Sequence, residues 1–213
     1  MLFRSGRVDI AVTTHDVWTL NPGLSFSRKG GENTTGVEIE ELNLFGTGTD
    51  LELSHVSGVD RDSTMIEYKD RHVFDSWVRV RAAYADNSDG SFEALEVERP
   101  FYSLDSRWTA GTILADDEHI EPLYDLGKVV EEFASHRQFA SVFWGLSDGL
   151  RNGWVRRWRV GATYDESEFS EIAGSAPPNL VPGNRKLVYP WLGFELVQDD
   201  FDSYMEIGRA SCR

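Results

Sequence analysis

The sequence carries one cysteine, Cys212, so no intramolecular disulfide staples the fold. It has no long apolar run. The longest, Phe139 to Leu146, is already broken by Ser141 and Gly145, far short of the ~20 residues a membrane helix needs. A helical membrane protein is excluded. A membrane β-barrel is not, because its strands alternate and carry a weak hydropathy signal. Positive charge is scarce too: 21 Lys and Arg stand against 36 Asp and Glu, a net −15. That balance suits neither nucleic acid phosphates nor anionic lipid headgroups, and no nucleic acid partner is expected. Aromatics, by contrast, reach 12% with seven Trp, which an acidic disordered chain does not carry. At 213 residues and 24.1 kDa, the chain has room for one sizeable domain.

Both ends read as foreign. Ile207-Gly208-Arg209-Ala210-Ser211-Cys212-Arg213 resembles a translated sequencing adapter, ATC-GGA-AGA-GCG-TCG-TGT-AGG, and Leu2-Phe3-Arg4-Ser5 resembles the same adapter read from the opposite strand. Residues 1–6 and 207–213 are therefore set apart as non-native. The expectation is an interior piece of a longer protein. Without Cys212 the chain is thiol-free, which fits an oxidising, extracytoplasmic compartment. Without Arg4, Arg209 and Arg213, 18 basic residues face 36 acidic ones, a net −18.

Hydrophobic period sets the class. Val8, Ile10 and Val12 alternate with polar or small residues, as do Trp18, Leu20, Leu24 and Phe26, with Pro22 in the same row. Further alternating rows are Val37/Ile39, Leu51/Leu53, Val78/Val80/Ala82/Tyr84, Leu95/Val97, Trp158/Val160/Ala162/Tyr164 and Val188/Leu192/Phe194/Leu196. Clusters of Gly, Asn, Asp and Ser separate them, as turns demand. About ten or eleven antiparallel strands are expected. Asp125 to His136 is ambiguous: Leu126, Val129, Val130 and Phe133 fall at helical spacing, but its neighbours favour a strand.

The polar faces are unusually charged: Glu38/Glu40, Arg79/Arg81, Glu96/Glu98 and Arg157/Arg159. The apolar faces place Trp18, Trp77, Tyr84, Trp108, Tyr164 and Trp191 near strand ends. A membrane barrel needs both features, a polar lumen and an apolar exterior bounded by aromatic girdles. The charged rows are then expected to face the lumen and pair as acid and base ladders. A secreted soluble β-sandwich that binds glycans through Trp and Tyr is the alternative.

Certain turns resemble a known family. Asn43-Leu44-Phe45-Gly46-Thr47-Gly48, entered by Gly36-Val37-Glu38-Ile39-Glu40 and left by Asp50-Leu51-Glu52-Leu53, is similar to the second-to-third strand turn of the BamA/TamA superfamily of outer-membrane barrels. Pro100 to Trp108 resembles that family's proline-aromatic turn, and Asp70 to Trp77 looks like a degenerate copy of it. Val8 to Val12 resembles the last strand of a periplasmic POTRA domain. The resemblance implies an all-β, antiparallel up-and-down transmembrane barrel, incomplete at about 10–11 strands of a presumed ~16. Residues 7–14 would end the POTRA-like domain and 15–206 form the partial barrel. It also implies a place in the bacterial outer membrane, lipid as a partner, and unfolded outer-membrane proteins and periplasmic accessory proteins as further ones. A weakly paired first strand, with Trp18, Leu20, Leu24 and Phe26, would be its gate. The turns at Gly46–Gly48, His72–Ser76 and Pro100–Asp105 would lie in the periplasm. Those at Lys29–Asn33, Val59–Asp62, Asp86–Gly90 and Asp116–Glu121 would lie outside. Phe74, Phe101 and Tyr102 would then sit at the inner interface belt.

No catalytic residue, metal or cofactor is expected. Gly145-Leu146-Ser147-Asp148-Gly149 matches a nucleophile elbow, but that motif requires a following helix, and another strand follows here. Asp86 to Gly90 lacks the order of a calcium loop. His15, His55, His72, His119 and His136 show no ligand spacing. Asp116-Asp117-Glu118 reads as a solvated loop.

Overall fold

The structure, a computed structural model, describes Thr13 and residues 18–29, 31–59, 61–172 and 181–199. The adapter-like ends and, apart from Thr13, the POTRA-like segment lie outside these residues, as does His15.

Ten strands follow one another: β1 (Leu20–Lys29), β2 (Glu32–Glu41), β3 (Thr49–Ser57), β4 (Asp62–Asp70), β5 (Arg79–Asn87), β6 (Gly90–Arg99), β7 (Trp108–Asp125), β8 (Lys128–Ser147), β9 (Trp154–Glu171) and β10 (Arg185–Gln198). Each pairs antiparallel with the next in one up-and-down sheet. Among the described residues β1 and β10 are its two edges, so the sheet is open.

The strand reading of Asp125–His136 is the one observed. Asp125 pairs with Lys128 across Leu126-Gly127. Both turn residues have positive φ, 48° and 79°, as a two-residue hairpin matched to strand twist requires. The helical spacing there is an accident of a bulge at Leu123/Tyr124 next to the turn. Asp116 to Glu121 is not a turn: it lies in the middle of β7, which runs on to Asp125.

Register assigns every side chain to a face, because opposite residues in a ladder point the same way. Ala110, Trp144 and Val160 share one face with Leu192, and Thr112 and Val142 with Ala162. This face is apolar and open: Val142 is 58% exposed and Val160 50%. The other face carries Thr109, Ser141, Thr163 and the charges, and there Thr109 is 1% and Thr163 4% exposed. No described layer covers either face. Curvature of a single sheet shelters one face and opens the other, and the turn after β6 covers part of the sheltered face as well, so the polar face is concave. A soluble fold buries the opposite set.

Side-chain volume supports the curvature. Gly111, Phe143, Gly161 and Trp191 lie opposite one another across β7 to β10 on the concave face. Glycine and ring alternate, so each ring lies over its neighbour's missing side chain. A Cβ on Gly161 would meet Trp191 at 2.5 Å, and one on Gly111 would meet Phe143 at 2.8 Å. The two rings sit 6.2 Å apart, and Trp191 Nε1 donates to Thr163 Oγ1 at 3.2 Å. Trp191 thus belongs to the concave face and not, as its place near a strand end implied, to the apolar one.

Candidate functional site

The turns at one end repeat a design. In both Leu44–Gly46 and Val73–Asp75, single 3-10 turns, the central Phe takes a left-handed conformation, φ 54° at Phe45 and 52° at Phe74. In both a carboxylate two residues ahead of the cap accepts its N–H: Glu41 from Asn43 at 3.0 Å and Asp70 from His72 at 2.8 Å. In both a hydroxyl closes the turn on the first carbonyl, Thr47 on Leu44 and Ser76 on Val73. Asp70–Trp77 is therefore a copy of the Asn43–Gly48 turn rather than of the proline-aromatic one. Left-handed phenylalanine is strained, and here it points the ring outward: Phe45 is 94% and Phe74 97% exposed.

The third turn at this end differs. Pro100 to Arg107 bends over the concave face. Phe101 lies under the guanidinium groups of Arg157 and Arg159, at 4.8 and 5.6 Å, while Tyr102 stacks on Trp77 at 4.3 Å. Phe101 thus faces inward, contrary to the expected interface position.

Apolar-face aromatics gather toward the ends. Trp108, Trp144, Trp154 and Trp158, each exposed, lie near the end that holds the 3-10 turns. Trp77, expected with them, precedes β5 in the row of Arg79 and Arg81 and stacks on Tyr102 instead. Tyr84 and Tyr164 stand toward the opposite end, followed at once by carboxylates. One cross-strand row there reads Tyr84, Glu93, Asp116, Gln138, Glu166, Lys186. The next reads Asp86, Ser91, Glu118, His136, Glu168.

Of the residues singled out as a gate, Leu20, Leu24 and Phe26 lie on the apolar face of edge strand β1, in line with Ile39 and Val37 of β2 through Pro22↔Ile39 and Leu24↔Val37. Trp18 precedes β1 and is exposed. Of the charged set, all eight lie on the concave face, but their partners divide. Arg79 bonds Glu98 at 2.5 Å and approaches Glu96 at 3.7 Å. Arg81 turns away from its register partner Glu96 to Glu67, at 2.6 Å through Nε. Glu67 also holds Lys69 and is 5% exposed. Arg157 and Arg159 converge on Glu195 at 3.4 and 3.2 Å. Glu38 and Glu40 make no base ladder: their register partners are Gly23, Asn21, Ser54 and Glu52. Glu67, Lys69 and Glu195, missed in the sequence, alternate with apolar neighbours as the recognised charges do.

The remaining motifs resolve locally. Ser147 ends β8, and its Oγ accepts from Gly149 N–H at 3.0 Å in the turn to β9. Asp86 to Gly90 is a tight hairpin in which Asp89 binds Arg61 at 2.7 Å. His55 bonds Thr64, and His72 packs its edge on Trp77. His119 stands between Asp117 at 3.2 Å and Glu121 at 2.8 Å on the concave side of β7, past the apolar rows. Burial disfavours its charged form, but the bond to Glu121 and the charge of Asp117 outweigh that and raise its pKa above the usual value. His136 Nε2 lies 2.9 Å from Asp116 Oδ1 and 3.8 Å from Glu118 Oε1. The three residues come from two strands, so sequence spacing could not reveal the cluster.

Comparison with family models, curated proteins and solved structures finds no match for this chain.

Proposed function

We propose that the chain is part of an outer-membrane β-barrel whose parent inserts or translocates other proteins. The observation that carries the membrane reading is the inversion of the sheet: open apolar face, sheltered charged face. Apolar rows of β10 run from Val188 to Leu196, about 26 Å along the strand at ~3.3 Å per residue. At a barrel tilt of about 40° this rises roughly 20 Å, and nine residues is the lower end of the ~9–11 that a tilted transmembrane strand needs. Tryptophans at one border and tyrosines backed by carboxylates at the other fit the two interfaces. Lipid is the partner of the outer face.

The insertase reading rests on the resemblance of Asn43–Gly48 and Pro100–Trp108 to BamA/TamA turns. Its support here is the geometric repetition of the first at Asp70–Trp77. Unfolded outer-membrane proteins and periplasmic accessory proteins are the partners, and no cofactor enters. Chemistry at the edge is backbone pairing: an unpartnered strand exposes N–H and C=O groups that an incoming strand can meet. Pro22 offers no donor in β1, and Leu20, Leu24 and Phe26 would face lipid beside the opening.

Tryptophan fluorescence of the chain reconstituted in bilayers tests the membrane reading. Lipids brominated near the headgroup should quench Trp108, Trp144 and Trp158 more than lipids brominated at the chain ends. Equal insensitivity to both, with a soluble monomer in plain buffer, would sink it.

A further inference from the structure

We propose that Asp116, Glu118 and His136 form a binding site for a zinc-class divalent cation on the convex face, just past the apolar rows. One ligand atom from each of the three falls within 4.8 Å of the other two. A tetrahedral ion bonded at ~2.1 Å separates its ligands by about 3.4 Å. The two separations from His136 Nε2, 2.9 Å to Asp116 and 3.8 Å to Glu118, bracket that figure. Small rotamer adjustments bring all three onto one ion.

The backbone fixes this arrangement. Glu118 and His136 are register partners, and Asp116 is the same-face neighbour two residues along β7. Glu168 of β9 is the register partner of His136 on its other side. Gln138 Nε2 donates to Asp116 Oδ2 at 3.0 Å, which leaves Oδ1 turned toward the imidazole. Outer hydrogen bonds of this kind orient carboxylate ligands in metal sites.

Charge points the same way. Glu93, Asp116, Glu118 and Glu168 lie on neighbouring rungs, and the nearest cation in the rows, Lys186, is engaged by Glu166 at 3.1 Å. On the concave side of the same strands the chain neutralises Asp165 with an Arg137 fork, at 3.0 and 2.9 Å. On the convex side it places a histidine among the acids instead. An imidazole is a strong ligand for borderline cations. An imidazole with carboxylates selects Zn²⁺ over Ca²⁺ or Mg²⁺, which prefer all-oxygen sets.

The test is a calorimetric titration of the full chain, folded in detergent micelles at neutral pH, with Zn²⁺, Ca²⁺ and Mg²⁺. One Zn²⁺ per chain should bind, with Ca²⁺ and Mg²⁺ far weaker. His136→Gln and Asp116→Asn should each abolish the heat, and Gln138→Ala should weaken binding by about 10- to 100-fold. His72→Gln and His119→Gln should leave it intact. Co²⁺ in place of Zn²⁺ should give visible absorption bands that disappear in His136→Gln. The proposal falls if the wild-type chain takes up no Zn²⁺, or if Asp116→Asn and His136→Gln bind as the wild type does, which would mark adventitious uptake. Asp116→Asn keeps the test decisive should His136→Gln fail to fold. The tryptophan quenching above reads membrane insertion separately, so the two proposals fail independently.

Discussion

Replacing Gly161 with alanine should destabilise the sheet, and the interlocked glycines and rings say by how much. An added Cβ would lie 2.5 Å from Trp191 Cε2 and Cζ2 and 2.7 Å from the Val142 carbonyl oxygen. Backbone on one side cannot move cheaply, and the indole on the other is tethered through Nε1 to Thr163. Overpacking of this kind costs about 1–3 kcal/mol. Gly→Ala at an unstrained, uncrowded position instead stabilises by about 0.4–1 kcal/mol, because it restricts the unfolded chain. The sign therefore decides between crowding and freedom. Gly193 supplies the control on the next strand: its Cβ would meet nothing closer than 3.6 Å, so Gly193→Ala should stabilise by about 0.4–1 kcal/mol. Urea unfolding of the micelle-bound chain, followed by tryptophan emission, measures both. Trp191→Ala should remove part of the Gly161→Ala penalty and leave the part due to the carbonyl, a coupling of about 1 kcal/mol in a double-mutant cycle. A neutral or stabilising Gly161→Ala, or additive effects with Trp191→Ala, would refute the interlock.

Glu67→Gln should cost about 1–3 kcal/mol, since it removes a buried negative charge and turns one of the two oxygens that accept from Lys69 and Arg81 into a donor; the half-exposed Arg79→Gln should cost under ~1 kcal/mol, and equal losses would contradict the burial contrast. The His119 pKa is raised in the fold, so its contribution is fully present below the unfolded-state value of about 6.5. It is lost as pH rises through the higher folded value. Urea midpoints should therefore decline across that window in the wild type and not in His119→Asn, whereas matching profiles would exclude the Asp117/Glu121 clasp. Cysteines at Ser88 and Ser103 in the longer parent should label differently on intact cells, Ser88 accessible and Ser103 protected. The opposite pattern would reverse the proposed topology.

The alternation of apolar and charged residues made most of the sheet legible, because period two is a direct consequence of the pleat. Where the sequence misled, a local cause is visible. Asp116-Asp117-Glu118 resembled a loop because acids fall on both faces. β7 runs on through these residues, and at Asp116 to Glu118 both of its faces bear carboxylates. Trp191 resembled a girdle residue, but its odd position in β10 turns it inward, where Gly161 leaves it room. Phe101 could not be placed without knowing that its loop folds back over Arg157 and Arg159. The Asp116–Glu118–His136 cluster depends wholly on the β7–β8 register, which no spacing within one strand encodes.

The unequal strand lengths carry a consequence for the molecule as an object in space. β1 to β6 have nine or ten residues, whereas β7 to β9 have 18 to 20. From Asp116 to Asp125 the β7–β8 hairpin climbs roughly 30 Å at 3.3 Å per residue past the tyrosine border, ending at Leu126, which is 97% exposed. The sheet is thus a low wall with a tower on one side. Any large molecule approaching from that side touches the tower first, and a protease would nick its tip while leaving the wall, with its interlocked rings, standing.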